Sequence, residues 1–375
     1  MLKRSVPILI LLCLVIALGA CAPAASPSAA PAITAPTQVS SAQPTTAPTS
    51  ATTTAATTAA TAAPTATPPP PNCTKMANAP AAPAAGQLGA ADKPIVMTFV
   101  PSGDVPTITR AGTGIADCLS KLTGLTYKIE VGTANSASIE AMGAGKAQIG
   151  FLNTFSVLLA RVKYGVEPQL VASRSYVTND LDPDKGLKGT LQPFYKGQFI
   201  TKTSSGIKSI ADLKGKTFCF TDPTSTSGTI IPQIVLKANG INPDKDLKAT
   251  QFAGSHPNVA AAVYKGDCDA GATFIDVRTD AAVQKAYPDI MDKTTVFFDT
   301  IRIPNDGVQT VKDFDAKLKD ATVNGLLAMM QDPGGKAMVR SLYGYDAFGK
   351  VDPTFYDEFK DLMVKAGVDP ASFVK

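Results

Sequence analysis

Ser225, Thr226, Ser227 and Gly228 stand directly ahead of an apolar run within "TDPTSTSGTIIPQIVLKANG", Thr221 to Gly240. Ile230, Ile231, Ile234 and Val235 recur there at helical spacing, and Asn239-Gly240 is a helix stop signal. Pro232 is compatible with a helix that opens near Gly228. The first turn of a helix carries unpaired N–H groups and a partial positive charge. Three hydroxyl side chains around those amides, with Gly228 letting a ligand approach the backbone, make a seat for an anion. The plainer reading is an N-cap at Ser227 with loop residues beside it, since capping needs only one such residue.

Three further residues have types that could act beside this seat. His256 is the only histidine and follows Gly254-Ser255 at a predicted strand end. Asp276 and Asp306 fall in loops, where aspartate also serves as a cap or turn residue. Serine, histidine and aspartate together invite a hydrolytic triad. No G-x-S-x-G elbow accompanies them, and a single histidine with widely spaced cysteines argues against a metal centre. Neither a Walker sequence nor a dinucleotide fingerprint is present, so no cofactor is expected.

The elements that must position these residues are short apolar strands alternating with amphipathic helices. "IVMTF", "YKIEV" and "AQIGF" read as strands, with helices between them and another through "FSVLLARVKYG". "GQFITK", "TFCF", "ATQF" and "DAGATF" form a second set, in which Ser209 and Asp212 make a capping box. Residues 176–193 lack periodicity and read as a surface loop. Such repeated units predict mostly parallel sheets flanked by helices, with ligands at the carboxyl ends of the strands. That points to the loops 101–105, 132–136, 152–154, 221–228, 253–257, 274–276 and 304–307. Two final helices, around 311–331 and 352–366, are expected to pack back on the first set.

The ends of the chain speak to location. Lys3 and Arg4 precede an apolar segment, Ile8 to Leu18, too short to span a bilayer. It ends in "LGAC", which resembles a bacterial lipobox and implies lipidation of Cys21 after removal of residues 1–20. From Ala22 to Thr74 there is no charged residue, and residues 21–91 read as a disordered Ala/Thr/Pro-rich spacer, with folding beginning near Asp92. Lys3 and Arg4 supply two of the net +4 charges, so the remainder gives no case for nucleic acid. An exported chain permits disulfides. Parallel strands would set Cys219 and Cys268 at opposite ends, and the pairing among Cys73, Cys118, Cys219 and Cys268 stays open.

The stretch "SGIKSIADLKGKTFCFTDPTSTSGTIIPQIVLKANGINPDKD" with "FAGSHPNVAAAVYKGDCDAGAT" closely resembles the phosphate/phosphite/phosphonate-binding proteins of ABC importers. "IEAMGAGKAQIGF" is similar to that family's first lobe, and the likeness covers roughly residues 95–310. It implies an α/β, two-lobed periplasmic binding protein of type II. Lobe 1 would be residues 92–198 with 295–375, lobe 2 residues 199–294, and the ligand would lie between them. It implies no catalysis, a phosphorus oxyanion held at Ser225, Thr226 and Ser227 with His256 nearby, and partners in a permease and its ATPase. It further implies that Asp276 and Asp306 would face an ammonium on ligands that carry one. Asn135 and Leu152 stand where the family often has tyrosines, leaving Asn135, Asn153 or Thr154 to take their place. A monomer in the cell envelope, held at the membrane by its lipid, is expected. A ligand sensor on the same fold is the alternative.

Overall fold

The computed structural model describes residues 68–373; the predicted signal segment, Cys21 and most of the expected spacer lie outside them. The first half alternates strands and helices: β1 (Ile95–Phe99), α1 (Val105–Thr123), β2 (Tyr127–Val131), α2 (Asn135–Gly143), β3 (Ile149–Phe151), α3 (Thr154–Tyr164) and β4 (Glu167–Ser175). The chain then makes a short β5 (Leu191–Gln192) and enters a second set through β6 (Phe194–Lys202). That set continues with β7 (Thr217–Phe220), α4 (Ile231–Ala238), β8 (Ala249–Phe252), α5 (His256–Lys265) and β9 (Ala270–Phe274). Two short helices, α6 (Ala281–Ala286) and α7 (Ile290–Lys293), lead to the long β10 (Thr294–Pro304). The return segment holds β11 (Gly307–Thr310), α8 (Ala316–Met329), α9 (Pro333–Tyr343), β12 (Ala347–Lys350) and α10 (Asp357–Lys365).

Two sheets result, ordered β12-β4-β11-β3-β1-β2, with β5 on β4, and β10-β6-β9-β7-β8. Each follows one permutation: a lobe's second strand at one side, then its first and third, then a strand arriving from the other lobe, then its fourth. Both sheets are mixed, which corrects the expectation of mostly parallel ones. Only β1 with β2 and β3, and β7 with β8 and β9, pair in parallel. The arriving strands β6 and β11 run antiparallel to their neighbours because they cross between lobes without a crossover helix. The crossings touch: Asn305 donates from its backbone to Pro193 O and from its amide to Gln192 O.

Local rules explain the helices that bear on the cleft. Asp104 caps α1 by accepting from Thr107 N, and Gly124, at φ 74°, ends it. Ile108, Ala111, Ile115, Leu119 and Leu122 bury one stripe of α1 in the first core. Helix α9 lies between the two final helices expected around 311–331 and 352–366. Asp332 accepts from Gly335 N, Pro333 occupies the first turn, and a Cβ on Gly334 would lie 2.4 Å from Pro69 O. The glycines therefore serve close packing rather than a break.

Folding also begins earlier than Asp92. Cys73 is disulfide-bonded to Cys118 on α1, Met76 donates its N–H to Leu122 O, and Asn72 donates to Asp332. Residues 68–91 have few large side chains to bury, so the cross-link and backbone bonds hold them. Cys219 and Cys268 are bonded as well, with Cα atoms 5.8 Å apart. The opposite-ends argument fails because these strands are short. Phe218 is level with Ala270, the first residue of β9, so Cys268 lies two residues beyond that partner. Residues 176–193 are no plain surface loop either. Asp182 is fully buried and accepts from Lys196 at 2.7 Å, and Asp184 pairs with Lys196 and Arg302. The double substitution Cys73→Ser/Cys118→Ser is expected to cost about 2–4 kcal/mol in urea unfolding. An unchanged midpoint would show that the segment is held without its cross-link.

Candidate functional site

Strand β7 ends at Phe220, and the chain turns through Asp222 and Thr224 before one wide helical turn, Thr226–Ile230, that feeds α4. Ser225 is the cap of that turn, its Oγ accepting from Gly228 N at 3.3 Å; Ser227 is not. Thr226 Oγ1 donates to Asn153 Oδ1 at 2.9 Å and accepts from Phe155 N at 2.8 Å, so it joins this turn to the mouth of α3. Gly228 does not open the backbone to a ligand. A Cβ there would sit 2.1 Å from Thr221 Oγ1, so its small size serves the packing of turn against strand end.

A cavity of about 620 Å³ lies against this turn. Ser225, Thr226, Ser227, His256, Asn153, Asp276 and Asp306 all line it, as the loops at the strand ends predicted. Asn135 and Thr154 do not. The N–H of Asn135, at the start of α2, donates to Asp222 Oδ2 of the other lobe at 3.1 Å. Thr154 Oγ1 donates to Pro304 O at 2.7 Å. With Thr226–Asn153 and the N–H of His256 on Ser102 O, these bonds bridge the two sheets around the cavity.

His256 begins α5, one residue after its cap Ser255. Its Nδ1 accepts from Phe274 N at 3.0 Å, which places the imidazole proton on Nε2, 3.5 Å from Ser225 Oγ. Burial lowers its pKa from the usual 6.5 to about 3, so the ring is a neutral donor aimed at the seat. This geometry removes the triad. A triad histidine is protonated at Nδ1 and takes the serine proton on Nε2, whereas here Nδ1 accepts from a backbone amide and Nε2 carries the proton.

Both acids are engaged. Asp306 accepts from Arg174 Nη2 at 2.6 Å and from the Tyr345 hydroxyl at 3.0 Å. Asp276 is forked by Arg278, with 2.6 Å to Nη2 and 2.9 Å to Nε, and accepts from Gln198 Nε2 at 2.7 Å. The sequence reading missed Arg174, Tyr195, Arg340, Tyr343 and Asp346, which complete the cavity wall. Tyr195, on the outbound crossing strand, has its phenol pushed up to about 12 by burial and by Asp306, while the hydroxyls of Ser227 and Thr226 oppose the rise. The first-lobe tyrosine positions are therefore empty of tyrosine, but aromatic hydroxyls reach the cleft from elsewhere. Single residues on strands and on an unforeseen helix carry no spacing signal that could have found them.

Residues 97–356 match the family described as the periplasmic substrate-binding protein of phosphonate ABC transporters. A phosphate-import protein of Mycolicibacterium smegmatis is 27% identical over 187 residues, 48% of this chain and 54% of that relative, so the match spans about half of its length. Among solved structures, the binding-protein component of an ABC phosphonate transporter from Pseudomonas aeruginosa superposes with a TM-score of 0.63 at 18% identity, covering 73% of this chain and 86% of that one. A Prochlorococcus marinus protein in complex with methylphosphonate gives 0.59 at 18%, covering 73% and 98%. At such identities these structures establish the two-lobed fold, with two mixed sheets flanked by helices.

A single histidine gives an unambiguous imidazole signal in nuclear magnetic resonance. Its shift is expected to stay at the neutral position from pH 8 to 5; a midpoint near 6.5 would place the ring in water. The unfolded chain binds the extra proton between about pH 6.5 and 3, so His256 makes stability fall with pH across that window, by up to ~1.4 kcal/mol per unit. His256→Asn should flatten that slope.

Proposed function

This chain belongs to the family of periplasmic substrate-binding proteins of phosphonate ABC transporters, and we propose that it captures a phosphorus oxyanion in the cleft lined by Ser225, Ser227, Tyr195 and His256. The family is one of non-catalytic binding proteins, in line with the occupied Nδ1 of His256. The observation that carries the ligand class is the set of neutral donors. Hydroxyls, an imidazole N–H and a phenol converge on a cavity whose buried acids, Asp276, Asp306 and Asp346, are matched by guanidiniums. Such donors replace the water shell of an oxyanion without needing a full counter-charge, and they are strong in a site of low dielectric.

In this reading Ser227 and Tyr195 hold the oxyanion directly, Ser225 and His256 form the floor, and Thr226 and Asn153 close the lobes over it. Asn135 contributes through its contact with Asp222 rather than through the ligand. The closed form would then dock on a membrane permease driven by a separate ATPase. Lipidation at Cys21 would keep the protein at the outer face of the membrane, with residues 1–20 removed. Among the described residues no helix is long and apolar enough to cross a membrane.

Calorimetric titration of the full chain with methylphosphonate, phosphite and phosphate tests the seat. At least one is expected to bind, and Ser227→Ala should weaken it by roughly 10- to 100-fold, the worth of a hydrogen bond to a charged group. Binding that ignores Ser227→Ala would move the site elsewhere, and no binding by any of the three would remove the oxyanion reading. For the anchor, Cys21→Ala should shift the protein from the membrane fraction to the soluble one. Retention in the membrane would disprove lipid attachment there.

A further inference from the structure

We propose that the cleft selects phosphorus oxyanions that carry no ammonium group, and that Arg174 is the residue that sets this preference. The inference rests on the oxyanion reading above and concerns what the rest of the ligand can be. An aminoalkyl ligand needs, at the end of the cavity away from the seat, a carboxylate whose charge is not already paired within the protein. Five aspartates line the cavity, and each is already engaged.

Asp306 gives Oδ1 to Arg174 Nη2 and Oδ2 to the Tyr345 hydroxyl. Asp276 gives Oδ1 to Gln198 Nε2, Arg278 N and Arg278 Nε, and Oδ2 to Arg278 Nε and Nη2. Asp346 pairs with Arg340 and accepts from Ser175 N. Asp104 and Asp280 cap α1 and α6, accepting from Thr107 and from Ala282 and Val283, in wetter positions where attraction for a cation is screened. The three buried acids, Asp276, Asp346 and Asp306, are thus internally compensated.

Arg174 is more than a neutraliser, because it lines the cavity itself. Its guanidinium is fixed from several sides. Nε donates to Tyr343 O at 3.0 Å, Nη1 donates to Asn305, and the rings of Tyr345 and Tyr195 lie 4.8 and 5.5 Å from its central carbon. It cannot swing away from Asp306 to make room without leaving those acceptors unpaired. An ammonium entering the cavity would meet the Arg174 charge and find each buried carboxylate already paired with a guanidinium, while losing its own water shell. A hydrogen, hydroxyl or alkyl substituent meets no such obstacle, and Ile108 and Leu342 add apolar wall.

Ethylphosphonate and 2-aminoethylphosphonate differ by the amine alone, and titrating both into the full chain, beside methylphosphonate and phosphite, decides the matter. The tightest amine-free compound is expected to bind at least ~10-fold more tightly than the amino compound. In Arg174→Met, which frees Asp306, the gap should narrow or invert; Arg174→Lys should keep it. The wild-type comparison stands alone if Arg174→Met does not fold. Equal or tighter binding of the amino compound to the wild type would overturn the proposal while leaving the oxyanion seat intact. Failure of all four to bind would overturn both.

Discussion

A guanidinium taken out of bulk water must find acceptors for its donors, and Arg174 finds them on two separated parts of the chain. It leaves the end of β4, reaches Asn305 and Asp306 on the return crossing, and meets Tyr343 O at the end of α9. Breaking any one contact would strand a buried charge, so the crossing and the last helix are fixed relative to the sheet they flank. Tyr345 follows on the same return segment, donating to Asp306 and covering the guanidinium. This one ion thus ties Asp306 and Tyr195 into one wall of the cavity.

The second lobe uses the same device at its own edge. Arg278 forks Asp276 and donates to Thr294 O, and Gln198 passes the connection to Asn179, which also donates to Asp299. Lys196 joins Asp182 and Asp184, and Arg302 adds to Asp184. The irregular segment 176–193 is therefore pinned to β6 and β10 by charge and hydrogen bonds rather than by apolar burial. That matters for two-lobed closure. The strands that cross between lobes are the ones that must not slide, and polar pairs specify their register more sharply than apolar contacts do.

What the sequence disclosed and what it hid divide along local and non-local lines. The hydroxylated turn before α4, the cap at Ser209 with Asp212, and the strand-end loops around 153, 256 and 276 were legible because neighbours in sequence create them. Arg174, Tyr195 and Tyr343 were not, because each is a lone residue whose meaning depends on a partner more than a hundred positions away or on another lobe. Gly228 was visible, but its lack of a Cβ answers Thr221, the residue after β7, through a contact that spacing does not reveal. The ordered segment after residue 68 was hidden by composition, since a Pro- and Ala-rich stretch lacks a core signal and is held instead by Cys73 and by backbone bonds to α1 and α9. The Cys219–Cys268 bond was masked by the argument that parallel strands set the two cysteines at opposite ends, which fails when β7 has only four residues.

The turn Ser225–Ser227 carries three hydroxyls in three different settings, and in the proposed reading that division would couple capture to closure. Ser225 stabilises its own turn and lies beside His256. Thr226 is spent on the opposite lobe, through Asn153 and Phe155 N. Ser227 lines the cavity next to the Tyr195 phenol. A ligand held at Ser227 would therefore steady the same short turn that bonds across the cleft, and the bond across the cleft would steady the seat. Because His256 stays neutral, none of these donors changes charge near neutral pH. On the proposed reading, a bound ligand would add its own hydrogen bonds to those that Thr226 already makes across the cleft. The population of the closed form then depends on differential affinity for it, not on the tightness of any single contact.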